Sequence, residues 1–232
     1  MLGPVDYAVW SAGFLLEVVV VVCAFARSQV RRYLTITLYM VCCGLVQVAH
    51  YYCLRKYGFS SRQYTYVYYY TESLLTISLF CVVIQLYQHV FEEMKVSKHI
   101  RTAAGVLVAA TAFFSYAVIR QNQDHLTSRF VVELGQNLYF VGVVLTYLLW
   151  GAIMKLRETR TRLIQLVLAL GIYFSATAGT YALRNLFPNL EVSVLHVIFP
   201  ILGVWLPAAW SYTFLRVSDE ARLMPAQLSV KL

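Results

Sequence analysis

Seven apolar stretches of membrane-crossing length follow one another along this chain, and they constrain its fold more than any other feature. They run approximately Tyr7–Phe25, Tyr33–Leu54, Thr65–Phe91, Ile100–Ile119, Phe130–Met154, Leu163–Leu183 and Val192–Leu215. Each is close to or above the ~20 residues that a helix needs to cross a bilayer core. The third and fifth are longer, which predicts tilt or projection beyond the hydrocarbon. Only 13% of the 232 residues are charged, where a soluble domain carries about 25%. The fold class that follows is an all-α integral membrane protein. It is a single seven-transmembrane-helix bundle over 1–232, with 216–232 as a short cytoplasmic tail. Such a tail is too small for a kinase, cyclase or DNA-binding domain, so any signal is expected to leave through a cytoplasmic or membrane protein partner.

The distribution of Lys and Arg sets the orientation. If the N-terminus lies outside, the inner connections and tail hold 13 of the 19 basic residues, among them Arg27, Arg31, Arg32, Lys155, Arg160 and Arg162. The outer side holds only Arg55, Lys56, Arg62, Arg120, Arg129 and Arg184. The positive-inside rule therefore predicts N-out, C-in in a plasma membrane. Trp10 and Trp150 fall near opposite ends of their stretches, as interfacial belts require. The net charge of +8 is a topology signal. No basic stripe with exposed aromatics lies outside the spans, so nucleic acid is not an expected partner. The N-terminus has neither a basic leader nor a small-residue cleavage pattern, and no removable signal peptide is expected. The cysteines (Cys23, Cys42, Cys43, Cys53 and Cys81) lie in or beside apolar stretches with no Cys-x-x-Cys pair, which predicts packed thiols and no disulfide framework.

A faint internal echo accompanies this pattern. The segment from Ala26 to Leu34 resembles that from Leu156 to Ile164, and Tyr52-Cys-Leu-Arg55 resembles Tyr181-Ala-Leu-Arg184. The first three and last three spans would then be parallel three-helix repeats joined by the fourth, a 3+1+3 plan.

Polar side chains inside hydrocarbon are costly, so their positions carry the functional signal. The third span opens with five tyrosines in the seven residues 64–70 and then places Glu72 one turn past Tyr68. Tyr68, Glu72 and Thr76 share a helix face at i, i+4, i+8. The second span carries Gln47, His50 and Tyr51 at i, i+3, i+4, and the fifth carries Glu133, Gln136 and Asn137 with the same spacing. Thr177, Thr180, Tyr181 and Arg184 mark the sixth, and His196 the seventh. In the N-out orientation all of these fall in the outer half, which predicts a shared polar cavity open to the outside. Its ligand-binding residues would be Tyr68, Glu72, His50, Gln47, Gln136, Asn137, Tyr181 and Arg184. Glu17 lies deeper, near the middle of the first span, and is a candidate for proton coupling. Pro200 and Pro207 each remove a helical hydrogen bond from the seventh span and are candidate hinge positions.

Specific chemistries can be weighed against these residues. Every lysine (Lys56, Lys95, Lys98, Lys155, Lys231) falls in a connection or the tail, so a retinal Schiff base is excluded. No Gly-x-Ser-x-Gly elbow or Gly-rich phosphate loop is present, and an enzyme is not expected. No cofactor is expected either. Haem or a metal held by His50, His196 and Glu72 is the alternative, unsupported by any local ligand spacing. The reading that fits best is a sensor or receptor-like module binding a small ligand from the outer side. Clustered tyrosines supply ring faces and hydroxyls suited to an amphipathic or aromatic ligand. The alternatives are a small-solute transporter built from two three-helix repeats, or an accessory subunit of a membrane complex.

Overall fold

The computed structural model describes residues 3–27, 29–58, 61–91, 102–103, 106–107, 109–111, 113, 126–186, 192–218 and 220–222, with backbone alone at 4–6, 126–132, 185 and 192–197. The protein is all-helical, with no strand among the described residues. Its helices are α1 (Pro4–Ala26), α2 (Leu34–Tyr57), α3 (Arg62–Val90), α4 (helical at 102–103, 106–107, 109–111 and 113), α5 (Leu126–Lys155), α6 (Thr161–Leu186) and α7 (Val192–Arg216). Six of them, all but α4, are long and apolar enough to cross a membrane among the described residues. The fourth predicted stretch, Ile100–Ile119, lies largely outside the described residues.

Local chemistry sets helix ends that the apolar pattern misses by up to a few residues. α2 continues past Leu54 through Arg55 and Lys56, cations that the C-terminal dipole favours, and stops at Gly58 with φ 79°. α3 begins before Thr65 because the Ser61 hydroxyl caps it, accepting from the Tyr64 N–H at 3.2 Å. α5 closes with paired bonds from Glu158 N to Ile153 O (3.0 Å) and from Arg157 N to Met154 O (3.3 Å). This is a Schellman turn in which Arg157, at φ 51°, occupies the left-handed position usually held by glycine.

The six long helices pack as a ring in chain order: α1, α2, α3, α5, α6, α7 and back to α1. Single side chains stitch neighbours together. Tyr87 Oη donates to Leu145 O (2.6 Å) between α3 and α5, and Ser211 Oγ donates to Leu16 O (3.0 Å) between α7 and α1. Trp210 Nε1 reaches Leu166 O at 3.4 Å between α7 and α6. Interhelical bonds of this kind contribute only ~0.6 kcal/mol each in a membrane, so packing carries the assembly. Phe80, Leu86, Leu149, Leu166, Phe174, Trp210 and Phe214 fill the interior at 0–1% exposure. Outward-facing Leu15, Leu45, Leu74, Val144, Leu168 and Ile201 form an apolar exterior suited to lipid.

One end of the ring is plugged. Arg162, 1% exposed, donates to Gln29 Oε1 and to Val217 O, with its guanidinium over the rings of Tyr33 (6.0 Å) and Phe214 (5.4 Å). Tyr33 stacks on His89 at 5.7 Å, and Gln85 accepts from Thr35 N (3.1 Å) while donating to Arg32 O (2.9 Å). Arg160 donates to His89 O at 2.7 Å and chelates Glu158. Residues just beyond α7 lie across this floor: Thr161 N donates to Ala221 O, and Arg160 bridges to Arg222.

Candidate functional site

Above that floor the ring encloses a cavity of about 330 Å³, near the end where α1 begins. Its walls follow from helical spacing. On α2, Tyr39, Met40, Cys43, Val46, Gln47 and His50 recur every three or four residues and line one continuous stripe. α3 contributes Tyr68, Glu72 and Leu75, and α1 contributes Trp10 and Glu17, two turns apart. One tyrosine comes from each of α5 and α6, Tyr139 and Tyr173. α7 supplies Phe199, Pro200, Gly203, Leu206 and Pro207. Tyr68 at the rim is 40% exposed, whereas Met40 and Leu206 at the floor are 1% exposed, so the mouth lies on the α1-start side.

Two acids face this space. Glu72 Oε1 accepts from the Tyr139 hydroxyl at 3.1 Å, tying α5 to α3. Glu17 is 5% exposed, and its Oε1 accepts from Gln47 Nε2 at 2.7 Å, tying α2 to α1. The second oxygen of Glu17 and the carbonyl oxygen of Gln47 are buried without a hydrogen-bond partner among the described residues. Gly44 of α2 packs beside this pair, and a Cβ built there would make ordinary contact with Glu17 Oε2 at 3.7 Å. At the rim His50 stacks on Tyr68 (5.4 Å), and its Nε2 lies 2.7 Å from Thr71 Oγ1. The Thr71 hydroxyl also lies 2.7 and 3.0 Å from the Val67 and Tyr68 carbonyls of its own helix.

The structure brings together four of the residues singled out in sequence: Gln47, His50, Tyr68 and Glu72. Glu17, Pro200 and Pro207, marked for other roles, line the same cavity. Gln136, Asn137, Tyr181 and Arg184 do not line it. Tyr181 sits one layer behind, packed on Tyr139 (5.7 Å) and Phe199 (5.5 Å), and Arg184 is exposed at the end of α6. Thr177 and Thr180 donate to carbonyls of their own helix. The His196 side chain lies outside the described residues, and among those described no group of three or more His, Cys, Asp or Glu is placed to hold a metal ion. Trp10, Tyr39, Cys43, Tyr139, Tyr173 and Phe199 are wall residues that sequence reasoning did not reach. Following the α2 stripe from Gln47 inward by one and two turns would have found Cys43 and Tyr39.

Two apolar grooves lie on the outside of the ring. One of about 480 Å³ between α5 and α6 is built from residues such as Tyr147, Leu168 and Ile172 and holds no titratable carboxylate. The other, about 370 Å³ between α1 and α2, shares Trp10 and Gln47 with the cavity. Compared with known proteins, the chain matches no family model, no curated protein sequence and no solved structure.

Proposed function

We propose that this chain is a multi-pass membrane module that binds a small ligand in the cavity between Glu17 and Glu72 and acts as a sensor or receptor. The observation that carries this reading is the unmet polar capacity of Glu17 and Gln47 inside a cavity wall. A buried acceptor without a partner costs ~1–3 kcal/mol, and a purely structural network would have closed on itself. The volume is at the lower end of the ~300–1,000 Å³ range of small-molecule sites. In the orientation set by the basic connections, the cavity mouth faces outward across a plasma membrane and the plugged end faces the cytoplasm. The outer side would supply the ligand, and the plugged end would meet a protein partner.

A transporter is the competing reading, and the prolines of α7 favour it, because Pro200 and Pro207 border the cavity where a hinge would act. The ring also divides into arcs α1–α3 and α5–α7, as two three-helix repeats would. Against transport, a solute would have to pass Trp210, Phe214 and Arg162, each no more than 1% exposed.

The test is a thermal-shift screen of the purified full chain with amines, acids and neutral aromatics, followed by uptake of each hit into proteoliposomes. Stabilisation that Glu72→Gln abolishes, with no flux, is the result expected of a sensor. Flux lost in the same variant would establish a transporter instead. A chain that no compound stabilises and that purifies with another subunit would be an accessory protein.

A further inference from the structure

Two donors on the cavity walls have acid partners: Gln47 Nε2 donates to Glu17 and the Tyr139 hydroxyl to Glu72. Buried acceptor capacity remains. Glu17 Oε2 and Gln47 Oε1 are buried and have no partner among the described residues, with Glu17 itself only 5% exposed. The Gly203 carbonyl, in a wall residue, has no i+4 N–H because residue 207 is proline. A complementary ligand therefore brings N–H donors. Two carboxyl groups line the space, no described Lys or Arg does, and the rings of Trp10, Tyr39, Tyr68 and Tyr173 border it. Acids and aromatic faces together select a cation.

The outer groove between α1 and α2 adds a second requirement. Trp10 and Gln47 belong to both spaces, so they form the partition between cavity and groove. Tyr7, Ser11, Phe14, Leu15, Val48 and Tyr51 complete the groove, and Leu15 and Val48 are 63% and 56% exposed on the lipid-facing side. An alkyl chain lying there would face hydrocarbon while its head reached Gln47.

We infer that the cavity takes the primary ammonium head of an amphipathic amine whose apolar chain runs out through the α1–α2 groove. This rests on the ligand-binding reading of the cavity. The ammonium donates to Glu17 Oε2 and Gln47 Oε1, and Trp10 covers the junction of head and chain.

The test uses the full chain in zwitterionic nanodiscs and reads thermal stability against dodecylamine, dodecyltrimethylammonium, dodecanol, dodecanoate and propylamine. Dodecylamine should stabilise at a concentration at least ~tenfold below each of the others. Glu17→Gln and, independently, Gln47→Met should each erase most of that margin, and Leu15→Trp, which fills the groove, should weaken dodecylamine. Equal potency of dodecanol or of the quaternary amine would overturn the proposal, as would an unchanged margin in both cavity variants. Propylamine matching dodecylamine would also overturn it, in favour of a soluble amine. Stabilisation by dodecanoate or dodecanol that Glu72→Gln removes would defeat the amine and leave the cavity reading standing. Stabilisation by no compound would defeat both.

Discussion

At the scale of single residues, the Tyr139–Glu72 bond is the most exposed to test. Tyr139→Phe removes a donor from an acid in the cavity wall without changing shape. It should lower stability by about 0.6–1.7 kcal/mol, the range for interhelical polar contacts, in chemical denaturation of the detergent-solubilised chain. A second residue-scale prediction concerns Glu158, outside the spans in the α5–α6 connection. Partial burial pushes its carboxyl up, but bonds from Arg160 Nε and Nη2 and from the Thr159 and Arg160 N–H groups outweigh that, leaving it below the usual 4.5. A carboxylate depressed on folding stabilises above its unfolded value and loses that contribution as pH falls through the folded value. The melting difference between wild type and Glu158→Gln should therefore be full at pH 7 and vanish in the acid range below the ordinary glutamate value. A difference that grew with acidification would contradict this. Gln47, His50 and Glu72 were legible in sequence because a polar group in an apolar stretch announces itself. Tyr139 and Tyr173 were not, because among 18 tyrosines only rotation about the helix axis selects those facing inward.

Among the elements, two backbone positions make predictions of opposite sign. Gly142 is where α5 meets the buried Phe174 ring of α6: a Cβ placed there would stand 2.4 Å from Phe174 Cε1. That ring is held by Phe80, Tyr139 and Tyr173 and cannot swing away. Gly142→Ala should cost about 1–3 kcal/mol, as overpacking does. Arg157 is the converse, a non-glycine side chain in the left-handed position of the α5 turn. Relief of that conformation is worth roughly 1–2 kcal/mol, less the added freedom of the unfolded chain. Arg157→Gly should therefore raise the melting temperature, read by differential scanning fluorimetry. From sequence, Gly142 was one of three isolated glycines on its helix; its partner Phe174 lies 32 residues away and no periodicity links them. The helices themselves were legible because a span of ~20 apolar residues has few other solutions. Their ends depend on Ser61, Gly58 and the Schellman turn at Arg157, which hydropathy does not register.

On the scale of the whole molecule, the ring order explains why Glu17 belongs to the site. It looked separate from the outer polar groups because it lies deeper in its own span. α2, packed beside α1, presents Gln47 to it at 2.7 Å. Neighbour relations of this kind are set by packing and are silent in a one-dimensional pattern. The same ring places the polar cavity at one end and the Arg162–Tyr33–Phe214 plug at the other. The ring is therefore an asymmetric vessel. The direct measurement is thiol accessibility. In a variant lacking the five native cysteines, Gln47→Cys is exposed in oriented vesicles to a membrane-impermeant cationic thiosulfonate from either side. Labelling is expected from the side where α1 begins, and none from the side of Arg162 and the tail. Labelling from the Arg162 side, or from neither, would contradict this asymmetry.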